Sequence, residues 1–159
     1  MTEPIFSVAL LMPDIPQNTG NIGRLCLASG CELVMVRPLG FRLTDSLLLR
    51  SGMDYWRKLN PVILDDLEEF QIWAENRRVW YMSAHGKRNY AEISYQQHDV
   101  FCFGSEASGL PCKTMENASA NDTLVTLPMV PQARCLNVSS AAAIIVYEGL
   151  RQLNAWSPK

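Results

Sequence analysis

The sequence predicts an α/β fold, a mostly parallel sheet flanked by helices. Two observations carry that expectation. Short apolar runs closed by proline, glycine or polar residues alternate along the whole chain with stretches of helical apolar spacing. The composition, 48% hydrophobic and 19% charged over 159 residues, supplies the core of one domain spanning 1–159.

Ile5–Met12, an apolar run stopped by Pro13, reads as a buried strand. Asn18–Gly30 reads as a helix with Ile22, Leu25, Cys26 and Ser29 on one face and Gly30 as its stop. Glu32–Arg37 is a second strand, cut by Pro38. Leu47–Gly52 is a short helix and Val62–Leu64 a third strand. Asp65–Asn76 opens with two acids and carries Leu67, Phe70 and Trp73 at helical spacing, an amphipathic pattern. Val79–Ser83, Val100–Gly104 and Thr123–Leu127 are strand-like, and Val138–Leu153 is the longest helix. No repeat, low-complexity tract or linker interrupts the series.

This composition excludes intrinsic disorder, collagen-like repeats and a disulfide miniprotein. The five cysteines, Cys26, Cys31, Cys102, Cys112 and Cys135, are odd in number and form no C-x-x-C pair, so reduced thiols are expected. Met1–Ser7 is no signal peptide, which points to a cytoplasmic protein. His85 and His98 lack neighbouring ligand types at metal spacing, so no metal is expected. Apolar runs such as Ala141–Val146 are too short to cross a membrane. A net charge of −2 and a pI near 5.7, taken alone, speak against a nucleic-acid binder.

Three loops carry the chemical information. Pro13–Arg24 joins the first strand to the first helix. Its prolines fix the turn, Asn18 and Thr19 are candidate N-caps, and the helix start offers free N–H groups to a phosphate. Asn21 and Arg24 share a face; a capped turn with a surface arginine explains the pattern equally well. Phe103–Pro111 follows a buried strand and sets Glu106 between Gly104 and Gly109. The glycines permit positive φ and close approach at the carboxyl end of a strand, where open α/β sheets bind ligands. A glycine-rich turn with a solvated glutamate is the plainer reading. Leu127–Asn137 holds two prolines and several apolar residues, which suits a shaped pocket, and Asn137 or Ser139 can cap the helix that follows. Neither a dinucleotide G-x-G-x-x-G nor a phosphate loop is present, and no Ser–His–Asp or Cys–His motif occurs.

In this order and spacing, N-T-G-N-I-G-R, F-G-S-E-A-S-G-L-P and L-P-M-V-P-Q-A-R-C-L-N-V-S resemble the three motifs of SPOUT-superfamily (SpoU/TrmH class) RNA methyltransferases. The likeness runs from about Phe6 to Leu153. The short chain, with no appended RNA-binding domain, looks most like the TrmL-type tRNA 2′-O-methyltransferases. The resemblance implies a C-terminal deep trefoil knot, a topology that connection rules alone would place last. It implies S-adenosylmethionine as cofactor, the tRNA anticodon stem-loop as partner, and a homodimer joined through the first and last helices. The expected reaction is methylation of the ribose 2′-OH of a wobble-position pyrimidine, cytidine or a 5-substituted uridine. Another tRNA or ribosomal RNA site, or a noncatalytic RNA-binding role, is the alternative.

Carried over residue by residue, the resemblance assigns the cofactor pocket to Met82, Ser83, Gly104, Leu127, Met129, Cys135 and Leu136. There backbone groups would read adenine, and glycine at 104 would allow close contact with the cofactor. The implied catalytic residues are Asn18, Arg24, Glu106 and Asn137, and the implied RNA or interface residues are Tyr147 and Arg134. A guanidinium, with a pKa above about 12, suits a phosphate clamp that orients the 2′-hydroxyl better than a base. Cys135 stands where many relatives have serine, and Ala107 and Ser108 also depart from the common pattern.

The positions of the charges alter what the net charge implies. Residues 61–80 hold five acids against two arginines, a balance of −3. Residues 22–60 hold six basic side chains against three acids, a balance of +3, and adjoin the first loop. A basic region that net charge conceals could meet tRNA phosphates.

Overall fold

A computed structural model describes residues 3–44 and 53–155. Among them, seven strands form one sheet: β1 (Ser7–Leu11), β2 (Glu32–Val36), β3 (Val62–Leu64), β4 (Val79–Met82), β5 (Arg88–Asn89), β6 (Val100–Phe103) and β7 (Leu124–Thr126). Their order is β3-β2-β1-β6-β4-β7-β5 and every pairing is parallel. The helices are α1 (Pro16–Ser29), α2 (Met53–Leu59), α3 (Leu67–Ala74), α4 (Cys112–Ala120) and α5 (Val138–Gln152), with one 3-10 turn at Tyr90–Glu92. The expected parallel α/β class is therefore borne out. The helix expected at Leu47–Gly52 lies outside the described residues.

Strand side chains alternate between two cores. Val8 and Leu10 of β1, Leu33 and Met35 of β2, and Phe101 and Phe103 of β6 join Ile22, Cys26, Ile145 and Val146 beneath α1 and α5. Ala9 and Leu11, Val34 and Val36, and Val100 and Cys102 join Phe70 of α3 and Ala118 of α4 on the opposite face. With both faces covered, β1 and β6 are buried at every position, which is why they read as unbroken apolar runs.

Local signals set the helix ends. Gly30, at φ 71°, closes α1 by donating its N–H to the Cys26 carbonyl, as its place after the apolar stripe foretold. At the other end the helix begins earlier than expected, because Pro16, with its fixed φ, occupies the first turn. Asn18 and Thr19 consequently lie inside the helix and cap nothing; Ile15 holds the cap position without a side-chain bond. Asp66 caps α3 by accepting from the Glu69 N–H at 2.8 Å. Helices α2 and α4 and strand β5 had no clear sequence signal. In α4 (CKTMENASA) the face toward the sheet is carried chiefly by Met115 and Ala118, too narrow a stripe to stand out.

Candidate active site

From β1 the chain turns outward to β2, whereas from β6 it runs the other way through α4 to β7. These strands are neighbours, so the reversal opens a crevice at their carboxyl ends, the usual ligand position in such sheets. A cavity of about 590 Å³ occupies it. Met82, Ser83, Gly104, Leu127, Met129, Cys135 and Leu136 all line this cavity, as do Asn18, Glu106, Asn137 and Arg134. So do His85, Cys112 and Met115, which the sequence did not single out, because α4 was not legible and His85 follows β4 without a motif.

The loops are tied together by one chain of hydrogen bonds. Glu106, from the loop after β6, accepts from the Asp14 N–H at 2.8 Å and from the Ile15 N–H at 3.3 Å. It also accepts from Asn18 Nδ2 at 3.1 Å. Asn18 Oδ1 in turn accepts from Asn137 Nδ2 at 3.0 Å, and Asn137 Oδ1 accepts from the Ser139 N–H at 2.9 Å, capping α5. Asp14 returns the connection by accepting from the Ala107 N–H at 3.2 Å. Glu106 is therefore a half-buried acceptor at the centre of three loops, not a solvated turn residue, and its charge faces the start of α1.

Glycine at 104 also has a reason within the chain itself. A Cβ there would run into the backbone of Gly109 and Leu110, so the position makes room for the loop's own return. Ser105 and Gly109 close that return with reciprocal backbone bonds of 3.1 and 2.8 Å, and Gly109 takes φ 71°. Gly104 lines the cavity as well.

Two expected residues lie elsewhere. Arg24 is exposed on α1 with its guanidinium carbon 5.5 Å from the centroid of the Tyr55 ring, and it does not line the cavity. Tyr147 is 45% exposed on α5, also outside it. Among the described residues no group of three or more His, Cys, Asp or Glu side chains could hold a metal ion. Nor is any described helix long and apolar enough to cross a membrane.

Residues 5–147 match the SpoU rRNA Methylase family. The chain belongs to the SpoU methylase family. A relative named tRNA (cytidine(34)-2′-O)-methyltransferase, from Saccharophagus degradans, is 38% identical over 149 residues, covering 94% of this chain and 96% of that protein. The protein of the same name from Escherichia coli K12 is 37% identical over 150 residues, 94% of each chain. Solved structures agree on this SpoU fold. One, described as giving structural insights into the 2-OH methylation of C/U34 on tRNA, superposes with a TM-score of 0.86 at 34% identity, covering 95% of this chain and 97% of that one. Another, the SpoU methyltransferase AviRb from Streptomyces viridochromogenes in complex with AdoMet, has a TM-score of 0.81 at 25% identity. It matches 99% of this SpoU methylase over 61% of its own length.

Proposed function

We propose that this protein is an S-adenosylmethionine-dependent tRNA 2′-O-methyltransferase acting on the wobble-position pyrimidine, cytidine or uridine 34. The observation that carries the reading is the convergence of all three motif loops, through Glu106, Asn18 and Asn137, around one cavity at the reversal point of the sheet. The relatives' names and the C/U34 structure supply the substrate.

The cavity fits the cofactor. Its volume falls within the roughly 300–1,000 Å³ of small-molecule sites. Apolar Met82, Leu127, Met129 and Leu136 would flank a flat base, while Ser83, Asn137 and nearby backbone groups offer polar contacts. S-adenosylmethionine would supply an electrophilic methyl group there. The chain's own part is alignment: the Glu106–Asn18–Asn137 ties hold the three loops in register, and Arg24 clamps an RNA phosphate so that the 2′-hydroxyl is oriented.

Two structural expectations belong to the same reading. A homodimer through α1 and α5 is supported by Leu27, Ile144 and Tyr147, which are 40%, 39% and 45% exposed on these packed helices. A threaded C-terminal segment is supported by β7, which lies between β4 and β5 although those strands are joined by residues 83–87. Gly86 in that link crosses β7 so closely that a Cβ would stand 2.6 Å from the Val125 backbone. A crystal structure with 124–137 running outside that link would refute the threading. Such an enzyme works with its tRNA in the cytoplasm.

Transfer of tritiated methyl from S-adenosylmethionine to total tRNA, followed by mapping of the labelled nucleotide, tests the function. Label on the ribose of nucleotide 34 is the expected result. Label at another site moves the protein to a different SpoU activity. No transfer by protein that still binds the cofactor makes it a noncatalytic RNA-binding member.

A further inference from the structure

We propose that Tyr55 is a positioning residue for Arg24, its ring backing the guanidinium and its hydroxyl fixing that ring to α1. The proposal rests on the reading of Arg24 as the RNA clamp. Tyr55 Oη donates to the Gly20 carbonyl at 2.9 Å, and the Arg24 guanidinium carbon lies 5.5 Å from the ring centroid. Gly20 and Arg24 are four residues apart, so the tyrosine spans one turn of α1, anchored at one end and with the guanidinium over its ring at the other.

The ring is carried on a helix, α2, that packs against α1. Trp56 and Leu59, next on that helix, press against Gly23, where a Cβ would stand 2.9 Å from the Trp56 ring and 3.0 Å from a Leu59 methyl. Trp56 also meets the Tyr55 ring edge-on at 6.3 Å. A guanidinium stacked on an aromatic face uses that face and keeps its in-plane N–H donors for a bidentate phosphate. A long exposed side chain loses rotamer freedom when it binds, and stacking removes part of that loss beforehand. Tyr55 does not line the cavity, so its action is on Arg24.

The test is a double-mutant cycle read by single-turnover methyl transfer with enzyme in excess. Arg24→Ala should lose at least about a hundredfold in rate, as an RNA clamp contact allows. Tyr55→Leu should lose about three- to tenfold, the scale of a cation–π contact, in the Arg24 background and nothing further in the Arg24→Ala background. Tyr55→Phe, which keeps the ring, should recover to within about threefold of wild type. S-adenosylmethionine affinity should stay level across the Tyr55 variants, and melting temperature should fall alike in Leu and Phe by a few °C, about what the lost Gly20 bond is worth, which separates positioning from a folding defect. Equal losses from Tyr55→Leu in both backgrounds, no loss at all, or a Phe variant as poor as Leu would each overturn the proposal. Full activity of Arg24→Ala would instead remove the clamp reading, and the positioning role with it.

Discussion

Replacing Glu106 by glutamine separates a structural tie from a catalytic base. The carboxylate accepts three donors, two backbone N–H groups at the entry to α1 and the Asn18 amide. Glutamine keeps one carbonyl oxygen and sets an NH₂ where the other oxygen stood, so at least one donor is left facing a donor. A hydrogen bond to a charged acceptor contributes about 1.5–3 kcal/mol. Glu106 is half exposed, water takes over part of the lost bonding, and a net cost of about 1–2 kcal/mol follows. For a chain of this size that lowers the melting temperature by about 2–8 °C.

The loops drift together, because Asn137 is held through Asn18. Cofactor affinity should therefore fall, by about tenfold if roughly 1.4 kcal/mol of alignment is lost. Thermal melts, calorimetric titration with S-adenosylmethionine and single-turnover transfer measure the three quantities. The Asn18→Ala variant should lose much of the same stability, with a double variant well short of additive. A Glu106→Gln protein with normal melting and normal cofactor affinity, yet a rate reduced more than about a hundredfold, would refute the tie and make the carboxylate a proton acceptor.

The remaining predictions follow from other features. Gly104→Ala forces its methyl into the Gly109–Leu110 backbone and should abolish cofactor binding, checked by titration of whatever folded protein remains. Of the free thiols, Cys26, Cys31 and Cys102 are buried; desolvation by burial pushes Cys31 up to about 11 and also raises the other two. Iodoacetamide should therefore label Cys112 and Cys135 first, and saturating S-adenosylmethionine should slow that labelling, read by peptide mass spectrometry. If the proposed dimer forms through α1 and α5, wild type should scatter light as a dimer and Leu27→Asp with Ile144→Asp as a monomer of lower turnover, with cofactor affinity retained. The Glu148 carboxyl is held at about 2, chiefly by its hydrogen bonds from Arg151. A depressed acid contributes stability present above its unfolded value near 4.5 and lost as pH falls toward 2, so the advantage of wild type over Glu148→Gln, up to about 1 kcal/mol, should vanish across that window in urea melts.

The sheet was legible because burial on both faces forces unbroken apolar runs, and each run here stands between turn residues. Helix α4 was not, because it packs through a narrow face and spends the rest of its sequence on solvent. The cavity residues of the three loops came from motif resemblance; Cys112 and Met115 were missed along with the helix that carries them. What no local pattern could show was the bonding between loops. Glu106 and Asn18 are 88 residues apart and Asn18 and Asn137 are 119 apart, so their pairing exists only after the sheet has set β1 beside β6 and β7 one strand further on, beyond β4. The same distance explains why Asn18 looked like a helix cap: its side chain is spent across the cavity, not on its own helix.

The position of Arg24 joins the clamp to the proposed dimer. Six residues separate it from Asn18 on α1, a rise of about 9 Å and a rotation that leaves the two side chains about 120° apart around the helix. Asn18 lines the cavity, and Arg24, a third of a turn round the helix and further along it, does not. A phosphate held by that guanidinium would lie outside the same chain's cavity lining. Leu27, one turn further on, is an exposed apolar residue on the same helix as Arg24. A second copy over Leu27 and the neighbouring α5 residues would set Arg24, three residues from Leu27 on α1, beside the seam between the copies, where the proposed clamp would act. The clamp and the dimer thus stand or fall together: a monomer that turned over at the wild-type rate would leave Arg24 with no ribose to orient.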